Sequence, residues 1–171
     1  LILLGGLPDE LGGSYYLQSA FSKKEGTCPK VDLDAEMNLQ NLLIGQIEEG
    51  RICAAHDLSE GGLLVCLAEM LFDAHGLGAS VSLPNLGTSG RLDALLFGES
   101  QARAIIAVKP DNCDAVIQAA NNLGVPAHTM GKTDDSSQLK VEVAGTSVIN
   151  TDVSGLKNAW ERAIPKHMEI A

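Results

Sequence analysis

The sequence predicts an α+β domain, a mixed sheet covered by helices in three α/β/α layers. Three observations carry that reading. Short apolar or alternating runs, such as Leu1-Ile2-Leu3-Leu4 and Ala79-Ser80-Val81-Ser82-Leu83, mark strands. Longer stretches with apolar residues three and four apart mark helices. The two kinds intermix without the strict alternation of a doubly wound parallel sheet. With 171 residues, 45% of them hydrophobic and 20% charged, the chain has ordinary globular composition and length enough for a sizeable core.

Residues 1–6 read as a short buried strand, followed by a loop marked by Pro8, Gly12 and Gly13. Ser14 is placed to N-cap a helix over 15–22, and the polar stretch 23–30 reads as a loop. Asp32 caps the next helix, with Asp34 and Glu36 in its first turn, where the helix dipole favours acid. Ala35, Leu39, Leu42, Leu43 and Ile47 form one apolar face, and Gly50 is the stop. Residues 52–55 form a short strand that runs into His56-Asp57-Leu58-Ser59-Glu60-Gly61-Gly62. Segment 63–75 holds ten apolar residues of thirteen, which predicts a helix buried on most sides and ended by Gly76.

Ala79, Val81 and Leu83 alternate with serines as a half-buried strand. A loop over 84–90, one or two helical turns over 92–97 and a strand over 104–108, ended by Pro110, come next. A helix over 111–123 carries Val116, Ala119, Ala120 and Leu123 on one face and stops at Gly124. Residues 128–130 make a short strand, and 139–143 pairs with 146–150 as a hairpin across Ala144-Gly145. Asp152 or Ser154 caps a last amphipathic helix built on Leu156, Ala159, Trp160 and Ala163, which Pro165 ends.

Twenty-two acidic residues stand against 12 basic ones, a net charge of -10. That balance excludes nucleic acid and an anionic membrane surface as main partners, since both need a basic face. Aromatic residues, at 4%, are too few for base-stacking platforms. The longest apolar run, 63–68, is too short to cross a membrane, and no signal-peptide pattern is expected. Cys28, Cys53, Cys66 and Cys113 form no C-x-x-C pair, and Cys53 with His56 lacks a second ligand pair, so no metal site is indicated. Cys53 and Cys66 lie in apolar runs and read as buried free thiols of a reducing compartment. The opening on Leu1, already in a strand pattern, is what a piece of a longer polypeptide would show.

Three segments carry candidate chemistry. In residues 55–63 a strand ends, a polar turn follows and Gly61-Gly62 opens a buried helix. Unpaired amides at a helix start make an anion site, and glycine lets a phosphate approach the backbone closely. Ser59 adds a hydroxyl, while Asp57 and Glu60 suit ribose hydroxyls or an amine and repel a phosphate placed too near. A capped helix start with a tight turn accounts for the same residues. In Asp9-Glu10-Leu11-Gly12-Gly13-Ser14-Tyr15 a Gly-Gly loop again precedes a hydroxyl at a helix start, so the two turns would cup one phosphate between them. It is not a Walker A loop, since no Gly-Lys-Ser/Thr follows. In residues 96–103, Glu99 and Arg103 are expected to pair with one another or with an adjoining domain. His75, His128 and His167 read as surface or loop histidines, and no Ser/His/Asp or Cys/His set marks a catalytic residue.

In this order the segments resemble a known family. The Leu3-Leu4-Gly5 opening with the Asp9-to-Tyr15 loop, Pro29-Lys30-Val31-Asp32-Leu33, the segments 56–63 and 96–103, and the ending around Trp160 are similar to the C-terminal part of the large synthetase subunit of phosphoribosylformylglycinamidine synthase. Aminoimidazole ribonucleotide synthetase, selenophosphate synthetase, thiamine-phosphate kinase and a hydrogenase-maturation protein share the superfamily plan. They would not carry the Leu-Gly-Gly-Ser-Tyr and Leu-Phe-Gly-Glu-Ser segments as well. Two residues depart from the pattern: Glu60, where aspartate also looks common, and Ala102, where serine is more usual.

The resemblance implies the C-terminal domain of the aminoimidazole ribonucleotide synthetase-like fold over residues 1–171. It implies a parent ligase of cytoplasmic purine biosynthesis, making formylglycinamidine ribonucleotide, ADP and phosphate from formylglycinamide ribonucleotide, ATP and glutamine-derived ammonia. ATP and Mg2+ would be held mainly by the preceding domains, so this chain alone would be inactive. Ammonia would come from a separate glutaminase subunit, acting with a small accessory subunit. Gly12, Gly13, Ser14, Asp57, Ser59, Gly61 and Gly62 would line the phosphoribosyl end of the substrate, with His56, Glu60, Glu99 and Arg103 as further candidates. The alternatives are a domain of one of the related ATP enzymes, or a non-catalytic assembly module presenting the helices over 32–49 and 63–75.

Overall fold

The computed structural model describes residues 1–83 and 90–168; of the loop expected over 84–90, all but Gly90 lies outside the described residues. In chain order the elements are β1 (Ile2–Leu4), α1 (Tyr15–Phe21), α2 (Leu33–Glu48), β2 (Ile52–Asp57), α3 (Gly62–Phe72) and β3 (Gly78–Leu83). They continue with α4 (Leu92–Phe97), β4 (Ala104–Val108), a 3-10 turn (Pro110–Asn112), α5 (Cys113–Asn122) and β5 (Ala127–Thr129). The last are β6 (Gly131–Asp134), β7 (Gln138–Val143), β8 (Thr146–Asp152) and α6 (Val153–Met168). Two compact units result, Leu1–Cys66 with Asn85–Met130, and Leu67–Pro84 with Gly131–Ala171.

The first unit is built on a four-stranded sheet in the order β2-β4-β1-β5, antiparallel throughout. Its apolar strands take the centre. Ile2 pairs with Ile106 and Leu4 with Ala104, and all four are buried. Leu39 and Leu42 of α2 and Val116 and Ala120 of α5 close the same core. Each fully buried aliphatic side chain contributes about 1.5–3 kcal/mol relative to exposure. Helix α2 begins where expected: Asp32 Oδ1 accepts from the amides of Asp34 (3.1 Å) and Ala35 (3.0 Å). Its inner face is Leu39, Leu42 and Gln46, whereas Ala35 and Ile47 of the expected face are exposed. At 3.6 residues per turn, the line through 39 and 42 continues to 46 and leaves 47 about 100° around.

Strand β2 lies at the sheet edge and extends two residues beyond the expected Ala55, through His56 and Asp57. Its register shifts between Ile52 and Ala54, so Cys53 is the extra residue of a bulge. Cys53 is therefore exposed, against the expectation of a buried thiol; Cys66 is buried.

In the second unit the sheet order is β6-β3-β7-β8, with β3 and β7 parallel and the other pairs antiparallel. The alternation read from the sequence is real. Ala79, Val81 and Leu83 pair in register with Leu139, Val141 and Val143, and all six are buried. Strand β6 was not anticipated, because Gly131-Lys132-Thr133-Asp134 carries no apolar alternation. The β7–β8 hairpin turns across Ala144 (φ 49°) and Gly145 (φ 76°), the two positive φ values of a type I′ turn. Asp152 accepts from the Gly155 amide at 2.9 Å and so caps α6. Lys157 Nζ donates to the Phe72 carbonyl (2.8 Å) and to Asp73 Oδ1 (2.9 Å), and Trp160 packs on Phe72 with ring centroids 5.7 Å apart. The helix does not end at Pro165 but carries it inside. Glu161, whose carbonyl loses its i+4 donor there, is exposed, so water satisfies it.

The class is α+β with a mixed sheet, as the sequence predicts. The strands are, however, shared between two sheets.

Candidate functional site

One hollow of about 740 Å³ in the first unit gathers the glycine loop before α1 and the end of β2. Gly12 and Gly13 form part of its wall, with His56, Asp57, Ser59 and Glu60. Glu99 and residues 101–103, from the segment between α4 and β4, complete that side together with Ala104, the first residue of β4. Helix α2 closes another side with Glu36, Leu39, Gln40 and Leu43. The two segments singled out in the sequence thus share a cavity.

Their glycines and serines divide between lining it and building it. Gly12 lacks room for a side chain, because a Cβ there would lie 2.1 Å from the Thr27 carbonyl oxygen. A Cβ on Gly61 would meet Val65 Cγ2 at 2.4 Å, and one on Gly62 would meet the Gly98 carbonyl oxygen at 2.7 Å. At Gly13 the nearest atom to such a Cβ is Cys28 Sγ at 4.0 Å. Gly13 is thus the member of the two pairs with open surroundings. Ser14 is buried and its Oγ accepts from the Leu17 amide (3.4 Å), so it caps α1 as expected and does not line the hollow. Ser59 is exposed and lines it. Gly61 and Gly62 are not among its lining residues.

Glu99 and Arg103 do not pair with one another among the described residues. Glu99 Oε1 accepts from the Tyr15 amide (2.9 Å) and from the Gly61 amide (2.8 Å), one from each glycine turn. The amides expected to cup a ligand oxyanion therefore cup a carboxylate of the protein itself. Arg103 is only 4% exposed. Its Nε donates to the Ser100 carbonyl at 3.0 Å, and Nη2 donates to the Gly98 carbonyl. Its Nη1 is buried without a hydrogen-bond partner among the described residues. Burial pushes its pKa down to about 10, so it stays charged at neutral pH.

Apart from Glu99 and Arg103, the charged residues of the wall are acidic, set among apolar ones such as Leu39 and Leu43. Asp57 and Glu60 are exposed on it, and Glu36 is held by Gln40, whose Nε2 donates to Glu36 Oε1 at 2.9 Å. His56 Nδ1 sits 2.7 Å from the Asp57 carbonyl oxygen and 3.6 Å from Asp57 Oδ1. Glu36 and Gln40 were missed by sequence reasoning, although their i, i+4 spacing on α2 places them side by side. Among the described residues there is no group of three His, Cys, Asp or Glu arranged to hold a metal ion, and no helix is long and apolar enough to cross a membrane. The arrangement suits a polar ligand, with carboxylates to accept from hydroxyl or amide hydrogens and one buried guanidinium.

Comparison with known proteins places the chain in a family. The family model described as AIR synthase related protein, C-terminal domain, matches residues 1–144. The phosphoribosylformylglycinamidine synthase subunit PurL of Caldanaerobacter subterraneus subsp. tengcongensis is 38% identical over 169 residues, which is 99% of this chain and 22% of the relative. The same subunit of Moorella thermoacetica is 39% identical over 165 residues, 96% of this chain and 22% of the relative. The chain spans about a fifth of the length of the curated relatives it matches. Among solved structures, Thermotoga maritima PurL complexed with FGAR has a TM-score of 0.75 at 22% identity, over 91% of this chain and 27% of that one. The hydrogenase maturation protein HypE of E. coli has a TM-score of 0.61 at 20% identity, over 90% of this chain and 49% of that one. Those two likenesses show a shared fold. With more than four-fifths of its length matched by the family model, the chain belongs to the family of AIR synthase related protein C-terminal domains.

Proposed function

We propose that this chain is the substrate-binding C-terminal domain of a phosphoribosylformylglycinamidine synthase, a cytoplasmic ligase of purine biosynthesis. In that reaction ATP phosphorylates the amide oxygen of formylglycinamide ribonucleotide, and ammonia then displaces the phosphate to leave the amidine. The part of this chain is to hold the nucleotide substrate in register for those steps, a contribution of proximity. ATP and Mg2+ belong mainly to preceding domains of the polypeptide. Ammonia comes from a separate glutaminase subunit, acting with a small accessory subunit; a PurLQS assembly is known from Thermotoga maritima. The observation that carries the reading is the hollow to which Gly12-Gly13 and residues 56–60 both supply wall.

The test is binding of formylglycinamide ribonucleotide to the full-length protein, measured by calorimetry. Asp57→Asn and Ser59→Ala change exposed lining side chains and leave the fold intact. Each is expected to weaken binding about tenfold, roughly 1.4 kcal/mol. Full affinity in the double variant would overturn the assignment of this hollow to the substrate.

A further inference from the structure

A buried guanidinium ordinarily has a carboxylate beside it, since desolvating an unpaired charge costs several kcal/mol. Arg103 has none within 4 Å among the described residues, in a chain whose net charge is -10. Its hydrogen bonds go to two neutral carbonyls, those of Ser100 and Gly98, and Nη1 makes none. Glu99, which lines the same hollow, is taken by the amides of Tyr15 and Gly61. Arg103 also lines the 740 Å³ hollow, where it is the only permanent cation among the described lining residues.

We propose that the missing counter-charge is supplied by the ligand: the hollow takes a phosphate monoester whose phosphate pairs with Nη1 of Arg103, while its hydroxyls face Asp57 and Glu60. This rests on the substrate reading above and deepens it, because it reassigns the phosphate from the glycine turns to a side chain. The turns are unsuited to the task, since their converging amides already hold Glu99. The acidic wall sets the orientation. A phosphate is repelled near Asp57 and Glu60 and is favoured at the Arg103 end, where a guanidinium offers a planar donor fork. Nη1 is buried in this structure, so pairing with a phosphate requires a local rearrangement of the lining, of which Gln101 and Ala102 are part. Ala102 already holds a φ of 53°, in the left-handed region.

The experiment uses the full-length protein with ribose 5-phosphate as probe, and ribose and inorganic phosphate as controls, by calorimetry. Ribose 5-phosphate is expected to bind, ribose to bind at least tenfold more weakly, and Arg103→Met to weaken the phosphorylated probe at least tenfold while leaving ribose unchanged. Arg103→Lys keeps the charge without the fork and is expected to fall between. Should Arg103→Met fail to fold, the guanidinium resonances of Arg103 in the unaltered protein, assigned with Arg103→Lys, are expected to shift on adding ribose 5-phosphate but not ribose. No binding of ribose 5-phosphate, equal binding to a folded Arg103→Met variant, or unmoved Arg103 resonances would each overturn the proposal. Formylglycinamide ribonucleotide, titrated in parallel, separates the two readings. If it binds the unaltered protein and Arg103→Met equally, Arg103 is not the phosphate partner and the substrate reading stands. If it does not bind while ribose 5-phosphate binds through Arg103, the substrate reading falls and the phosphate partner stands.

Discussion

The amides of Tyr15 and Gly61, which open two different helices, donate to the same oxygen, Oε1 of Glu99. One carboxylate oxygen thereby ties the glycine loop before α1 to the glycine turn before α3. Both bonds are charge-assisted and both satisfy amides at helix starts, which have no intrahelical partner. Glu99 itself lines the hollow and joins the two segments on either side of it. Ser100 adds a weaker tie to the same loop, its Oγ lying 3.4 Å from Glu10 Oε1.

Removing that tie is expected to cost stability. Glu99→Ala removes the partner of two amides. Hydrogen bonds to charged groups contribute about 1.5–3 kcal/mol each, less here because the Tyr15 bond is exposed, the Gly61 bond is half-buried, and water replaces part of what is lost. A loss of about 1–3 kcal/mol in urea unfolding is expected, with Glu99→Gln losing less because its amide oxygen still accepts. An unfolding midpoint unchanged in Glu99→Ala would mean that the tie does not support the fold.

The glycines differ in what they tolerate. Gly13, Gly61 and Gly62 all have positive φ, at 73°, 81° and 65°. Any alanine there pays the left-handed penalty of about 1–2 kcal/mol. At Gly13 nothing else opposes it. At Gly62 the new Cβ would lie 2.7 Å from one backbone atom and 2.8 Å from another, neither of which is free to swing away. Gly62→Ala is therefore expected to destabilise by at least about 2 kcal/mol more than Gly13→Ala, measured by urea unfolding. Equal losses would show that the contacts at Gly62 relax without cost. Gly61→Val, a direct way to block the turn, would disturb Val65 packing and report on folding rather than on ligand binding.

Local signals in the sequence were legible because they act over a few residues. Asp32 and Ser14 cap the helices expected of them, and Ala144-Gly145 turns the hairpin. The hollow was legible to the extent that Gly12-Gly13 and Asp57-to-Glu60 meet. What the sequence hid depends on pairings between distant residues. Nothing near Glu99 announces that its carboxylate meets the amides of Tyr15 and Gly61, so Glu99 and Arg103 read as partners of one another or of an adjoining domain. Arg103 precedes β4, and its side chain turns back to the Ser100 and Gly98 carbonyls, a local fold that no residue pattern announces. Cys53 looked buried because its neighbours are apolar, but an edge strand and a bulge turn it outward. Strand β6 has no alternation of its own and is held through its backbone pairing with β3.

Acid should loosen the start of α6. The Ser154 hydroxyl and the Gly155 amide hold the Asp152 carboxyl below the usual carboxylate range. A folded-state pKa below the unfolded value, about 3.9, means that the unfolded chain binds the proton more readily. The cap therefore contributes its full stability above about pH 5 and loses it as the pH falls through 3.9 toward the lower folded value. Asp152→Ala should melt below the unaltered chain at pH 6, and the gap between the two should narrow on acidification toward pH 3. Thermal unfolding followed by circular dichroism at stepped pH measures this directly. A gap that stays constant from pH 6 to pH 3 would show that the Asp152 charge contributes nothing to the cap.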